Sequence, residues 1–244
     1  MYKIIDENAL CIAAHPFNHV PLLQKIFFKR GRWENKDISH QKLSGLQILN
    51  GIYDKDFFNG MEIWKNQLLN GLIKYIYAGN DAHGNFNIYR QINTPLLTLK
   101  ESYIQIFGNC RTGVLGSKFG DIPSVINSLK KGNCFITNSA YLNITFHHNQ
   151  KEYSMGSIIQ KGSGKLTVDI VSSKEFGMIK KLIVLMGRIG DKKEINIFQY
   201  ENLRVYELKE IITINAEKES YFRCEVYLCN DNCFAYSNPI WLCP

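Results

Sequence analysis

The run Leu72-Ile73-Lys74-Tyr75-Ile76-Tyr77-Ala78 and its continuation Gly79-Asn80-Asp81-Ala82-His83-Gly84 decide how this chain is read. The apolar run predicts a buried strand of a parallel sheet. The continuation sets a carboxylate and an imidazole two residues apart at the strand's tip. In extended backbone, residues i and i+2 project to one side, so Asp81 and His83 both reach one metal ion if that geometry persists past the tip. Asn80 and Asn85 flank the pair. Asparagine tolerates turn backbone, which favours a backbone role for both over a catalytic one.

A second apolar strand, Ala9-Leu10-Cys11-Ile12-Ala13-Ala14, ends at His15-Pro16, where proline turns the chain out of the sheet. His15 therefore also stands at a strand's carboxyl end. In parallel sheets, open or barrel-shaped, side chains delivered there converge on the active site. Gly45-Leu46-Gln47-Ile48-Leu49-Asn50-Gly51 supplies a third short strand, and an amphipathic stretch from Phe57 to Leu72 with Trp64, Leu68 and Leu69 follows it. Taken singly, Asp-x-His and His-Pro are more often turn elements than ligands. Their order along the chain joins His15, Asp81 and His83 into one candidate metal site. Arg111 is a candidate substrate-binding group, because guanidinium grips phosphate or carboxylate through paired bonds; a structural pairing with an acid or a strand-end carbonyl is the equal alternative.

In this order the motifs resemble the carboxyl-terminal half of the PHP (polymerase and histidinol phosphatase) metallohydrolases, closest to their CehA/McbA-like branch. The His15-Pro16 strand comes first, then Gly45 to Asn50, the helix with Trp64, Leu68, Leu69 and Gly71, and the Asp81-Ala82-His83-Gly84 element. Cys110-Arg111-Thr112, a helix over Ile122 to Lys131, Gly132, Phe135-Ile136-Thr137-Asn138 and Ser237-Asn238-Pro239-Ile240-Trp241-Leu242 complete the likeness. It implies a metal-dependent hydrolase acting on a phosphoester, or a related ester or amide bond, of a small-molecule substrate. His15, Asp81 and His83 are then metal ligands, and the cofactor is a divalent ion, zinc, manganese or iron.

The same resemblance implies that ligands are missing. Such enzymes open with a His-x-His strand and further His and acidic ligands, whereas His19, His40, His147 and His148 all follow His15. Gln47 stands where many relatives carry an acid, and an amide is a poorer ligand than a carboxylate for a hard or borderline cation. The expectation is an incomplete chain, weak or inactive alone. The alternative is a non-catalytic remnant or binding module acting through its β-sandwich or a partner chain. A second copy or a partner would cover the open edge that half a barrel leaves.

The 244 residues carry a formal charge of +7 and 45% hydrophobic residues, ordinary for a packed chain. Lys and Arg are scattered, with short clusters at Lys29-Arg30 and Lys192-Lys193, the latter between Asp191 and Glu194. No basic face with interleaved aromatics marks a nucleic-acid partner. No apolar run reaches about 18 residues and no export signal opens the chain, so no membrane association is expected and the compartment is read as cytoplasmic. Seven cysteines form an odd set that fits reduced thiols, and Cys224, Cys229, Cys233 and Cys243 lack the paired spacing of a zinc knuckle.

Up to about Gly132, short apolar strands alternate with helical stretches, as α/β layers do. The helix from Asp121 is well signalled: Asp121 caps it, Pro123 fits its first turn, Val125, Ile126 and Leu129 make its apolar face, and Gly132 stops it. Period-two alternation then runs through Tyr141 to Phe146, Leu166 to Ile170 and Phe222 to Leu228. Further strands are expected at Lys181 to Met186, Ile195 to Tyr200, Leu208 to Asn215 and Ala235 to Leu242. The expected architecture is a partial α/β PHP barrel, parallel strands with helices, over residues 1–138. An all-β antiparallel sandwich without catalytic groups of its own follows over residues 139–244. His147-His148 is expected in a solvated turn.

Overall fold

The computed structural model describes residues 9–19, 33–83, 91–93, 98–100, 106–116 and 120–243. Gly84, Asn85 and Lys29-Arg30 lie outside them. In chain order the elements are β1 (Ile12–Ala13), α1 (Asn35–Ile38), β2 (Gly45–Asn50), α2 (Lys55–Leu69), β3 (Tyr75–Gly79), β4 (Gln91–Asn93), β5 (Thr98–Lys100), β6 (Arg111–Val114) and α3 (Ile122–Lys130). Then come β7 (Cys134–Thr137), β8 (Tyr141–His148), β9 (Lys151–Ser154), β10 (Ile158–Gln160), β11 (Gly162–Val171) and β12 (Ile179–Arg188). The chain ends with β13 (Ile195–Tyr200), β14 (Glu207–Ala216), β15 (Ser220–Leu228), β16 (Phe234–Ser237) and β17 (Ile240–Cys243). Among the described residues, no helix is long and apolar enough to cross a membrane.

Both longer helices begin and end as their residues dictate. Asp54 accepts from the Phe57 amide at 3.0 Å to start α2, and Asp121 accepts from the Ser124 amide at 3.3 Å to start α3. At the far ends, Gly71 and Gly132 take left-handed backbone, φ 77° and 68°. The amides after them complete paired bonds back into the last turns: Gly71 to Leu68 and Leu72 to Gln67, Gly132 to Leu129 and Asn133 to Ser128. At Gly132 a side chain is excluded twice over, since a Cβ there would lie 2.2 Å from the Tyr75 ring.

The centre of the molecule is an eight-stranded sheet in the order β10-β17-β15-β16-β7-β6, with β12 on the other edge of β15 and β13 beyond it. Along β15, Phe222, Cys224, Val226 and Leu228 face one way, into a core shared with Leu142, Ile144 and Phe146 of β8 and Leu166, Val168 and Ile170 of β11. That core is closed by the four-stranded sheet β14-β11-β8-β9. The two sheets make a sandwich, each contributing alternate side chains. Tyr221 and Tyr227 of β15 face the opposite way, with Phe234, Tyr236 and Trp241, onto Phe57, Met61, Trp64 and Leu68 of α2 and Leu46, Ile48, Leu49 and Ile76 of the small sheet β1-β2-β3. The molecule thus has three layers, with the eight-stranded sheet in the middle.

This arrangement corrects the expected fold class. Parallel pairing is confined to β1-β2-β3 and the short β10–β17 contact, and no partial α/β barrel is present among the described residues. Strands β6 and β7, expected as barrel strands, pair antiparallel with each other, and β7 pairs antiparallel with β16 of the central sheet. The physical reason is visible in β7. All four of its residues are buried because the central sheet is covered on both faces, and such an apolar run looks the same as a parallel barrel strand. His148 also departs from expectation. It lies on β8, only 9% exposed, between the Ser163 carbonyl at 2.8 Å and the Asn149 amide at 2.9 Å, while His147 pairs outside with Glu152 at 3.0 Å.

The small sheet meets the rest of the molecule through side chains that act as strand backbone. On the outer edge of β3, the Asn238 Oδ1 accepts from the Ile76 amide at 2.7 Å and its Nδ2 donates to the Ile76 carbonyl at 3.2 Å. Two residues on, the Thr112 hydroxyl accepts from the Ala78 amide at 2.9 Å and lies 3.0 Å from the Ala78 carbonyl. An edge that would otherwise invite another strand is closed from within.

Between α2 and the central sheet lies a buried charge network. Arg223, 1% exposed, donates through Nε and one terminal nitrogen to both oxygens of Glu194 at 2.7 and 2.6 Å, and through the other to Glu225 at 2.6 Å. Its guanidinium lies 5.5 Å from the centre of the Trp64 ring. Tyr227 donates to Glu225 at 2.7 Å, Tyr236 donates to Tyr227 at 2.8 Å, and Tyr53 meets Tyr236 at 3.0 Å.

Buried thiols make the fold sensitive to alkali. Burial raises Cys110 to about 11 and Cys134 to about 12, and raises Cys224 further. Their folded values lie above the unfolded one, so their stabilisation is present below about pH 8.5 and is lost as pH rises through the folded values. Burial lowers Lys74, whose ammonium donates to the carbonyls of His40 and Leu43, to about 8. Its contribution has the opposite sign, growing from about pH 8 to 10.4. The raised thiols outnumber the one lowered lysine, so the net effect is a loss of stability as pH rises above about 8.5. Urea midpoints measured between pH 8 and 10 should fall steeply; a flat profile would contradict the burial of these thiols.

Candidate functional site

The carboxyl ends of β1, β2 and β3 form one rim. His15 follows β1 by two residues with left-handed backbone, φ 31°, and Asp81 follows β3 by two with φ 52°. Non-glycine residues rarely hold such backbone, and two of them at one rim mark a place where the surrounding structure imposes a geometry. Asn80 does part of this work: its amide accepts from the Cys110 N–H at 2.7 Å and donates to the Cys110 carbonyl at 3.0 Å. The Gly51 amide donates to the Gly79 carbonyl at 3.0 Å and ties the tip of β2 to that of β3.

The geometry brings His15, Asp81 and His83 together. Asp81 Oδ1 lies 3.6 Å from Nε2 of His15 and 3.6 Å from Nε2 of His83, with side-chain exposures of 18% for His15, 35% for Asp81 and 44% for His83. The left-handed turn at Asp81, rather than strand alternation past the tip, sets this approach. Gln47, on the central strand of the rim, donates to Asn50 Oδ1 at 3.0 Å, and its amide faces Gly79.

Arg111 is placed elsewhere. Its guanidinium lies 5.2 Å from the centre of the Phe176 ring, which packs against the sandwich core. Its neighbour Thr112 faces β3, and successive strand residues point to opposite faces, so Arg111 is carried away from the rim. The signal for this was the strand itself: Arg111 and Thr112 cannot both serve the rim.

Two imidazoles and one carboxylate are a donor set suited to zinc or to other divalent transition metals. Around a tetrahedral ion with bonds of about 2.1 Å, neighbouring donors stand roughly 3.4 Å apart. The two 3.6 Å separations are close to that span, so Asp81 can share an ion with either imidazole. Among the described residues, no group of three or more His, Cys, Asp or Glu side chains stands ready to hold an ion. A third ligand has to swing in.

No family model matches the chain, and no curated protein matches it. Among solved structures, a Thermotoga maritima protein assigned as a superoxide reductase is 12% identical, with 34% of this chain and 79% of that one covered and a TM-score of 0.25. A Niemann-Pick type C2 protein from the Japanese carpenter ant is 11% identical, with 44% of this chain and 95% of that one covered and a TM-score of 0.28. Similarities this distant carry no argument about fold or activity.

Proposed function

We propose that the rim binds a single divalent cation through Asp81 and His15, with His83 as the third ligand, and that the chain is a hydrolase-type module acting weakly on small esters or phosphoesters. The observation that carries this reading is the placement of two imidazole nitrogens at equal distance from one carboxylate oxygen at the carboxyl ends of parallel strands. The order of motifs that resembles the PHP metallohydrolases supports it. A bound cation supplies Lewis acidity and an acidified water. The chain's own part is to hold Asp81 by the Asn80–Cys110 clamp, so that its carboxylate stays between the two imidazoles.

A second reading, a binding module without turnover, is favoured by the tip of β2. There Gln47 and Asn50 pair as neutral amides, so the middle of the rim offers no charge to a second cation. One experiment separates the two. Zinc and manganese are titrated into the dialysed chain by calorimetry, and turnover of an activated phosphodiester is followed alongside. One ion per chain is expected, with affinity falling at least about tenfold in Asp81→Ala, and slow turnover that the same substitution abolishes. Binding without turnover selects the second reading. Binding that Asp81→Ala leaves unchanged removes the rim from both. Gln47→Glu should strengthen cation binding, since it adds a charged ligand beside Gly79.

A further inference from the structure

We propose that Tyr236, in the middle of a file of hydrogen-bonded phenols between α2 and the central sheet, is a one-electron redox site. A one-electron oxidant of the peroxyl-radical or high-valent-metal class converts it to a lasting phenoxyl radical, and the proton leaves along a path already in place. The site is separate from the rim and does not rest on the reading given to it.

The direction of the file supplies the first observation. A carboxylate can only accept, so Tyr227 donates to Glu225 at 2.7 Å. With its one proton so placed, Tyr227 accepts from Tyr236 at 2.8 Å, and Tyr236 in turn accepts from Tyr53 at 3.0 Å. All three hydroxyls therefore point along the file towards Glu225. Oxidation passes one electron from Tyr236 to the oxidant. The Tyr236 O–H bond breaks as its proton joins the Tyr227 oxygen, while the Tyr227 proton joins Glu225. The products are a neutral radical at Tyr236, an unchanged phenol at Tyr227 and a protonated Glu225. The bond from Tyr53 remains on the radical oxygen.

Charge supplies the second. Arg223 sets one positive charge against the two carboxylates of Glu194 and Glu225, so the trio holds one negative charge in excess. Lys65 acts on Glu194 without bonding to it and pairs with Glu62. A proton arriving at Glu225 removes the excess, and the two-pronged Arg223–Glu194 pair stays whole. Shielding supplies the third. Tyr236 is 2% exposed, with the Phe57 ring stacked 5.7 Å from its own and the Phe234 ring at 5.0 Å, so two such radicals cannot meet and couple. Tyr227, half-buried with its ring 5.7 Å from that of Tyr236, carries the electron outward.

The test uses the dialysed full chain, photogenerated tris(bipyridine)ruthenium(III) as oxidant and electron paramagnetic resonance as readout. A signal that outlasts the flash is expected, narrowed when the tyrosines carry deuterated rings. Tyr236→Phe, which keeps the ring, should remove most of it. Tyr53→Phe should leave the signal but shift its g tensor, since the radical oxygen loses its donor. Glu225→Gln should slow radical formation at least about fivefold, the effect of losing one hydrogen-bonded proton acceptor in the transition state. Heavy water should slow formation in the native chain. No lasting signal, a lasting signal that Tyr236→Phe leaves intact, or formation as fast in Glu225→Gln as in the native chain overturns the proposal. If Glu225→Gln fails to fold, the heavy-water rate carries that arm, and an unchanged rate overturns the proton path. The metal experiments on the rim have no bearing on this outcome.

Discussion

Arg223→Met should cost about 3–5 kcal/mol, the usual result of stripping the cation from a buried ion pair. Folded chains hold only about 5–15 kcal/mol in all, so the variant should be close to unfolding at room temperature. The loss arises less from the bonds removed than from what they leave behind. Glu194 and Glu225, with side-chain exposures of 7% and 14%, would remain as two carboxylates in the layer between α2 and the central sheet. Trp64 would also lose the cation that faces its ring.

The pH dependence separates this mechanism from simple loss of packing. In the native chain, burial alone would raise Glu194, but the Arg223 charge and hydrogen bonds, with the Tyr221 hydroxyl, outweigh it and hold the carboxyl below its ordinary value. Its stabilisation is therefore present above the unfolded carboxylate range and is lost as pH falls through the folded value. In Arg223→Met the burial of Glu194 is opposed only by the Tyr221 hydroxyl and the charge of Lys65, so this carboxyl should rise above the ordinary range, and its contribution is then present at low pH and lost as pH rises. Between pH 7 and 5, the urea midpoint of the variant should climb while that of the native chain holds or falls. Arg223→Met with Glu194→Gln should recover part of the loss at pH 7. A variant that loses less than about 1 kcal/mol at pH 7, or responds to acid like the native chain, would show that water already reaches these carboxylates.

How far the fold was legible depends on which faces of each strand are covered. Strands β8, β11, β12 and β14 were legible because alternate residues meet a core on one face and solvent on the other, and β13 was placed as a further short strand between polar turns. Their ends move outward by only a few residues; Ile195–Tyr200 does not move at all. In β7 and β16, both fully buried strands of the central sheet, the two-period signal is lost, and β7 then passes for a barrel strand, whereas β15 of the same sheet was still read from the alternation over Phe222 to Leu228. The three-layer arrangement could not be read from any single segment. Nor could the charge network: Lys192-Lys193 between Asp191 and Glu194 reads as a solvated cluster, and only the fold shows that Glu194 turns inward to a partner 29 residues away.

The rim divides in the same way. That His15, Asp81 and His83 meet was readable from their positions just past apolar strands, because parallel neighbours deliver their ends to one side. The left-handed turns at His15 and Asp81 were not read, although His and Asp are among the non-glycine residues that hold such backbone most readily. Arg111 was read by its chemistry and not by its strand, and the parity of that strand sends it to the Phe176 side.

The segment Ala235 to Leu242 shows how a single interruption builds the link to the small sheet. It was read as one strand, and β16 and β17 do share one edge of β15 while β12 pairs along the other, but the register slips by one residue between them: Glu225 stands opposite Tyr236 and Phe222 opposite Ile240. Asn238-Pro239 breaks it, because proline has no amide to donate. The break turns the fully buried Asn238 side chain out of the ladder and onto β3. Asn238→Leu should leave the Ile76 amide without its acceptor and the Ile76 and Cys134 carbonyls without the Nδ2 donor they share at 3.2 and 2.8 Å. Orphaned buried groups cost about 1–3 kcal/mol each, so a loss of at least about 3 kcal/mol is expected. Asn238→Asp tests the direction of the bonds. The carboxylate still accepts from Ile76 but faces two carbonyls with no donor. Burial should raise the introduced carboxyl above its unfolded value, so the variant should be most stable below about pH 4 and weaken as pH rises. Hydrogen exchange at the Ile76 amide reports the link directly: it should quicken markedly in Asn238→Leu and much less in Asn238→Asp. If the Ile76 amide stays protected in Asn238→Leu, the small sheet is held by its apolar contacts with α2 and the central sheet, and Asn238 is only a passenger of the turn.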